Sequence, residues 1–150
     1  MFHEAIERNP RSSVLWREYG IRLYKYGRES GDWSHENDAY AALNRACVLH
    51  QADYVARAYL ALLDMTSPVL TPSQEELSRK ALSELKVSEN GVEEHQALIT
   101  KTLLKKRRQD AQRWAQELVE FSDANIHQNR KIPASLREQL IEGIGAELNK

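Results

Sequence analysis

The sequence contains few of the residues on which several protein classes depend. It has one cysteine, six glycines and four prolines among 150 residues. A single cysteine excludes an internal disulfide framework and a cysteine-based zinc site. The low glycine and proline content argues against a β-sandwich, whose many turns are rich in these residues.

Long apolar runs and a large net charge are also absent. No window reaches the roughly 20 apolar residues that a transmembrane helix needs, and the first thirty residues lack the apolar core of a signal peptide. Lys and Arg number 21 against 22 Asp and Glu, a formal net charge of -1. No overall field therefore marks a nucleic-acid or membrane partner, and we expect a cytoplasmic protein.

Helical periodicity is present throughout the chain. Apolar residues recur every three to four positions, without an alternating strand or an Asn-Gly or Asp-Gly hairpin signal. The sequence therefore predicts an all-α fold in one domain, residues 1–150, with helical pairs in 1–65 and capping or extension helices in 71–150. The predicted helices cover 2–8, 13–27, a segment ending near 49, 53–65, a segment starting at 72, 92–121 and a segment after 133.

Local signals predict where several helices begin. Ser12 or Ser13 is the expected N-cap of the second helix, and Asp32 or Ser34 that of the third. Thr71, Pro72 and Gln74 combine an N-cap, a proline at the first helical position and a capping-box partner. The predicted buried residues of the fifth and last helices are Leu77, Ala81, Leu85, Leu136, Leu140, Ile141, Ile144 and Leu148.

The first sixty-five residues carry a pattern known from a helical repeat. A tryptophan, a bulky residue, a small residue and a further apolar residue are followed by a second helix with small residues on one face. The positions that carry the pattern are Trp16, Tyr19, Gly20, Leu23, Ala39, Leu43 and Ala46. They resemble one unit of a tetratricopeptide repeat, or of the similar half-a-TPR repeat. The alternative is a helical bundle without repeats, in which Trp16 and Tyr19 are core residues.

The resemblance implies a groove that binds a peptide or helix of another protein. The groove would be lined by the first helix of the pair, here by Arg17, Ile21, Tyr24 and Lys25, with Tyr24 as an aromatic anchor. We call these four residues the predicted groove. Chaperone-binding repeats hold a carboxylate with a Lys and an Asn one turn apart, and Arg17 and Ile21 do not match that pair.

No arrangement typical of a catalytic or metal site is found in the sequence. The five histidines include no pair spaced three or four residues apart, and no Gly-rich phosphate loop or Gly-x-Ser-x-Gly motif occurs. Cys47 is interpreted as a small core residue. We therefore predict a protein that is not an enzyme, without catalytic residues, metal or cofactor.

One segment departs from the even distribution of charge. Residues 101–113 include six basic residues and a single acid, Asp110. Three interpretations stay open: a solvated helix face, a contact with an acidic surface, and binding to nucleic-acid phosphates. We call these six residues the basic segment: Lys101, Lys105, Lys106, Arg107, Arg108 and Arg113.

The favoured function is a non-catalytic adaptor, chaperone or regulatory subunit that binds another protein through the predicted groove. One alternative is a nucleic-acid-associated protein that uses the basic segment. Another is an immunity- or antitoxin-type inhibitor of an enzyme. Because residues 2–10 resemble the tail of a repeat, we expect the chain to belong to a larger protein or to dock that end on a partner.

Overall fold

The prediction of an all-α fold is confirmed. The structure, a computed structural model, describes residues 2–51, 53–84, 91–124 and 132–145. Seven helices and no strand occur in these ranges, and none of the helices there combines the length and apolar content needed to cross a membrane. The helices are α1 (Phe2–Arg8), α2 (Ser13–Ser30), α3 (Glu36–Leu49), α4 (Tyr54–Thr66), α5 (Pro72–Glu84), α6 (Val92–Ala124) and α7 (Ala134–Gly145).

Helices α2 and α3 form a closely packed hairpin. The Ser12 hydroxyl caps α2 by accepting the N–H of Leu15 at 3.4 Å, as one of the predicted caps. The helix continues past Gly27 and ends at Ser30. The C-cap residue that follows, Gly31, has a φ of 77°, in the left-handed region that favours glycine. The predicted end of α2 was therefore one turn too early.

The predicted cap of α3 was wrong. The helix begins at Glu36, and its cap residue His35 makes no side-chain capping bond. The Asp32 carboxylate instead accepts the backbone N–H of Ser34 at 3.0 Å and the hydroxyl of Tyr26 at 3.2 Å. Asp32 thus stabilises the loop before α3, because its short side chain bonds the backbone two residues ahead.

Gly20 lets α2 and α3 approach closely. A Cβ atom at this position would lie 2.6 Å from Leu43 Cγ and 3.2 Å from the carbonyl oxygen of Ala39. Ala39, Leu43 and Ala46 are fully buried on the facing side of α3. Small residues on both helices therefore allow a short interaxial distance.

Helix α4 is the centre of the core and contacts α2, α3, α6 and α7. Its N-cap is Asp53, whose carboxylate accepts the N–H of Ala56 at 3.0 Å. Seven α4 residues are buried, and they point in nearly every direction around the helix axis. They are Ala56, Ala58, Tyr59, Leu60, Ala61, Leu62 and Leu63.

Helix α5 begins as predicted but buries a different residue. The N–H of Gln74 donates to Thr71 Oγ1 at 3.2 Å, and the N–H of Thr71 donates to Gln74 Oε1 at 3.3 Å, which completes the capping box. Leu77, however, is 56% exposed, whereas Ser78 is buried and accepts a bond from Gln96 of α6. Leu77 was wrong as a core residue because α5 contacts only α6 among the described helices.

Helices α6 and α7 complete the bundle. The α7 side chains Leu136 and Leu140 are buried as predicted, whereas Ile141 is 43% exposed and Ile144 is half-buried. The predicted core positions Leu85 and Leu148 lie outside the described residues. Ser122 near the end of α6 accepts the N–H of Ile132 at 2.9 Å, which links α6 to the segment before α7.

A buried guanidinium joins α6 to three other parts of the fold. Arg107 Nη2 lies 2.6 Å from Glu36 Oε1 of α3, and Nε lies 2.8 Å from Asp64 Oδ1 of α4. Its Nη1 donates to the carbonyl oxygen of Val69, between α4 and α5, at 2.7 Å. The side chains of Arg107 and Glu36 are each 4% exposed. We call this group the Arg107 cluster.

Replacing Gly20 with alanine should destabilise the α2–α3 hairpin by overpacking. We expect Gly20→Ala to lower the free energy of unfolding by about 1–3 kcal/mol, because Leu43 and the α3 backbone must move. Urea denaturation followed by circular dichroism measures the change. Gly145→Ala is the matched control, since nothing lies within 4 Å of a Cβ there. Equal stability of the two variants would contradict the close approach.

Removing the charge of Arg107 should be costly while its acidic partners remain. We expect Arg107→Met to lower the free energy of unfolding by about 3–5 kcal/mol, because a buried carboxylate loses its counter-ion. Glu36→Met combined with Arg107→Met should recover part of that loss in the same urea experiment. Lys106→Met, an exposed neighbour, should change stability by no more than about 0.5 kcal/mol. A loss in the double variant as large as the sum of the two single losses would disprove the coupling.

Candidate functional site

The predicted groove does not present an aromatic anchor. Tyr24 is 1% exposed, and its ring packs against Tyr59 at a centroid distance of 5.7 Å and against Trp33 at 6.4 Å. The ring therefore belongs to the core between α2, α3 and α4. The structure therefore leaves no exposed Tyr24 ring to serve as the predicted aromatic anchor.

The other residues of the predicted groove lie in different environments: one is ion-paired, one is buried and one is exposed. Arg17 Nη1 lies 3.4 Å from both carboxylate oxygens of Asp53, and Ile21 is 9% exposed. Among the four predicted groove residues, only Lys25 is exposed. It lines a depression of about 390 Å³, which Ile21 also lines. Charged side chains make up most of the rest of this depression, which is consistent with a solvated helix face.

The basic segment does not form one continuous patch. Arg107 is enclosed in its cluster, and Arg108 is half-buried beside a cavity on the other side of α6. Arg113 lies beside a pocket that also contains carboxylates. Lys101, Lys105 and Lys106 are exposed. The segment was predicted as a unit, whereas its four exposed members, the three lysines and Arg113, are interrupted by the enclosed Arg107 and the half-buried Arg108.

A different surface of α6 carries exposed aromatic rings among acids. Asp110, Trp114, Glu117 and Phe121 follow one another at intervals of four, three and four residues, so they share one side of the helix. Trp114 is 40% exposed and Phe121 is 37% exposed. We call these four residues the α6 face. The neighbouring row, with Ala111, Ala115 and Leu118, points into the core.

A pocket of about 370 Å³ opens beside Trp114. Three carboxylates and one guanidinium line this Trp114 pocket, so its formal charge is negative. Asp64 at its edge also belongs to the Arg107 cluster, and burial raises the pKa of this carboxyl although the charge of Arg107 opposes the rise. The lining residues are Asp64, Asp110, Ala111, Arg113, Trp114 and Glu117.

Aromatic contacts extend the α6 face towards the start of α4. The rings of Phe121 and Tyr54 are 4.9 Å apart, with an interplanar angle of 31°. The guanidinium carbon of Arg57 lies 5.6 Å from the centre of the Tyr54 ring, within the range of a cation–π interaction. These contacts support the Phe121 end of the α6 face.

The described residues offer little to nucleophilic or metal chemistry. Burial raises the pKa of the Cys47 thiol, so at neutral pH the thiol rather than the nucleophilic thiolate is favoured. Within the ranges that the structure describes, no group of three or more His, Cys, Asp and Glu side chains is placed to hold a metal ion. The accessible features are surfaces suited to binding.

Sequence reasoning did not identify the α6 face. Neither Trp114 nor Phe121 is among the site residues predicted from the sequence. The available signal was the 4-3-4 spacing of Asp110, Trp114, Glu117 and Phe121 next to a separate row that contains Ala111 and Leu118. A helix buries one such row completely, and the second row is then left at the surface.

The raised pKa of Asp64 predicts a specific pH dependence of stability. The folded protein retains the Asp64 proton to a higher pH than the unfolded chain, whose carboxyl titrates near the ordinary value of 3.8. The contribution of Asp64 to the free energy of unfolding therefore falls as pH rises through the window between these two values. Asp64→Asn lacks this titration.

Urea denaturation of the wild type and of Asp64→Asn from about pH 4 to about pH 7 measures the effect. We expect the difference in stability to shift in favour of the variant as pH rises. A shift in favour of the wild type would show that the charge of Arg107 outweighs burial and lowers the pKa of Asp64.

Comparison of the chain with protein-family models, with curated proteins and with solved structures gave no match. The resemblance of residues 1–65 to a tetratricopeptide repeat stays a prediction, since the α2–α3 hairpin alone does not distinguish a repeat from another helical bundle. The α6 face and the Trp114 pocket are the structural observations from which a function follows.

Proposed function

We propose that this protein is a non-catalytic interaction module, of the adaptor, chaperone or regulatory-subunit kind, that binds another protein through the α6 face. The partner inserts a lysine or arginine side chain into the Trp114 pocket. The observation that carries this proposal is the 40% exposed ring of Trp114 in a pocket with three carboxylates. The predicted groove on α2 has no part in it.

The aromatic rings of the α6 face supply apolar contact area. Tryptophan and tyrosine are enriched among the residues that dominate binding energies, because a large rigid ring buries much surface and loses little conformational freedom. Trp114 lies at the pocket. Phe121, about two helical turns further along α6, extends the surface and packs against Tyr54. An apolar residue of the partner would lie beside Phe121 while its basic residue enters the pocket.

The charges of the pocket select a basic side chain. Asp110 and Glu117 lie on either side of Trp114 in sequence and share its side of α6. A guanidinium or ammonium group in the pocket contacts these carboxylates and the face of the indole, an arrangement that combines ion pairing with cation–π attraction. An acidic partner would be repelled from this surface.

The structure favours this surface over the basic segment as a binding site. With Arg107 enclosed and Arg108 half-buried, fewer cations of the segment are available to neutralise phosphates than its six basic residues suggest. The nucleic-acid alternative and the inhibitor alternative stay predictions from the sequence. The inhibitor alternative is compatible with the same α6 face, since an inhibitor is also a protein that binds a protein.

Photocrosslinking at two positions tests the proposal. A benzophenone amino acid replaces Arg113, beside the pocket, or Lys25, in the predicted groove, and the protein is irradiated in native extract. We expect a discrete protein adduct from position 113 that resists nuclease and contains a partner segment with lysine or arginine. Adducts from position 25 alone would overturn the assignment and restore the groove on α2.

Substitutions within the α6 face measure its contribution. We expect Trp114→Ala to weaken binding of the captured partner by at least about tenfold, as for a binding hot spot. Leu98→Ala removes another exposed apolar side chain from the same helix, 63% exposed, and should leave the affinity unchanged. Asp110→Asn with Glu117→Gln should reduce the affinity and its dependence on salt. Equal affinities of the Trp114 and Leu98 variants would contradict the proposal.

A further inference from the structure

A second cavity lies on the opposite side of α6 from the Trp114 pocket. It has a volume of about 360 Å³ and is bounded by α2, α4, α6 and α7, which is within the range of small-molecule sites. Two guanidiniums and one carboxylate, from Arg28, Arg108 and Glu142, are among its lining groups. We call it the Arg28–Arg108 cavity.

The half-buried Arg108 has an unsatisfied donor beside this cavity. Its Nε atom is buried without a hydrogen-bond partner. The adjacent Arg107, by contrast, has an acceptor at 2.8 Å or less for each of its three nitrogens. A guanidinium donor without a partner is costly in a desolvated position, and an anion in the cavity would offset that cost.

Hydrogen bonds between helices hold the walls of the cavity in place. Arg28 Nη1 of α2 donates to Gln139 Oε1 of α7 at 3.2 Å. Gln112 Nε2 of α6 donates to the carbonyl oxygen of Gly143 in α7 at 3.0 Å. Gly143 also lets α7 lie close to α4, because a Cβ there would meet Met65 at 2.7 Å. The cavity is therefore formed before any ligand enters.

The lining groups define the chemistry of a ligand. The two arginines match a carboxylate, and Glu142 matches a cationic or hydrogen-bond-donating group on the same molecule. Leu62 and Met65 supply an apolar wall, suited to a hydrocarbon side chain. We propose that the Arg28–Arg108 cavity binds a small zwitterion with an apolar side chain, the chemistry of a free aliphatic α-amino acid. This site is independent of the α6 face.

Three related probes separate the parts of this recognition. Leucine carries a carboxylate, an ammonium group and an apolar side chain; 4-methylpentanoate lacks the ammonium group, and 3-methylbutylamine lacks the carboxylate. Isothermal titration calorimetry with the full chain measures each affinity. We expect leucine to bind at least about tenfold more tightly than either analogue, since each loses one charged contact.

Variants of the cavity locate the binding. Arg108→Gln should weaken leucine and 4-methylpentanoate by about tenfold or more, whereas Glu142→Gln should weaken leucine alone. Glu138→Gln, an exposed acid of α7 that does not line the cavity, is the matched control. Glu142 is exposed, so its variant tests the site even if Arg108→Gln proves unfolded by circular dichroism.

Several outcomes would overturn the assignment. One is the absence of a binding signal with leucine up to its solubility limit. Another is a leucine affinity that is the same in Glu142→Gln as in Glu138→Gln, which would place binding elsewhere on the protein. Tighter binding of inorganic phosphate than of leucine would show that the cavity responds to negative charge alone.

Discussion

The position of α6 depends on the buried charge of Arg107. Its guanidinium meets Glu36, Asp64 and the carbonyl oxygen of Val69, so one side chain fixes the long helix to α3, to α4 and to the segment after α4. Helices α4 and α6 also pack directly against each other. Ion pairs and hydrogen bonds are directional, so the Arg107 cluster constrains the register of α6 against α3 and α4.

The sequence predicted features that depend on neighbours within one helical turn. Ser12 and the Thr71–Gln74 capping box each bond a backbone group three residues away, and both were predicted correctly. Arg107 pairs with residues 43 and 71 positions away, and nothing in its local sequence distinguishes it from Arg108. The charge pattern therefore predicted six equivalent cations, and the fold gave these two neighbours different environments.

The same limit applies to the candidate surfaces. Tyr24 and Trp114 are both aromatic residues on amphipathic helices, yet one is 1% exposed and the other 40%. Which of them lies at the surface depends on the side of the helix that its neighbours cover: Tyr24 lies on the side of α2 that packs into the core, whereas the Trp114 side of α6 is left open beside α4. Periodicity gives the direction of a side chain, and tertiary packing decides what covers it.

The length of α6 gives the protein two regions of unequal cooperativity. The helix has 33 residues, about 50 Å, and its fully buried side chains begin at Arg107. Before that point it packs against α5, which contacts no other described helix. Opening of α5 with residues 92–106 therefore exposes little of the core, and we expect amide protons there to exchange through a local fluctuation rather than through global unfolding. Arg107 marks the boundary between this outlying hairpin and the part of the helix that unfolds only with the whole bundle.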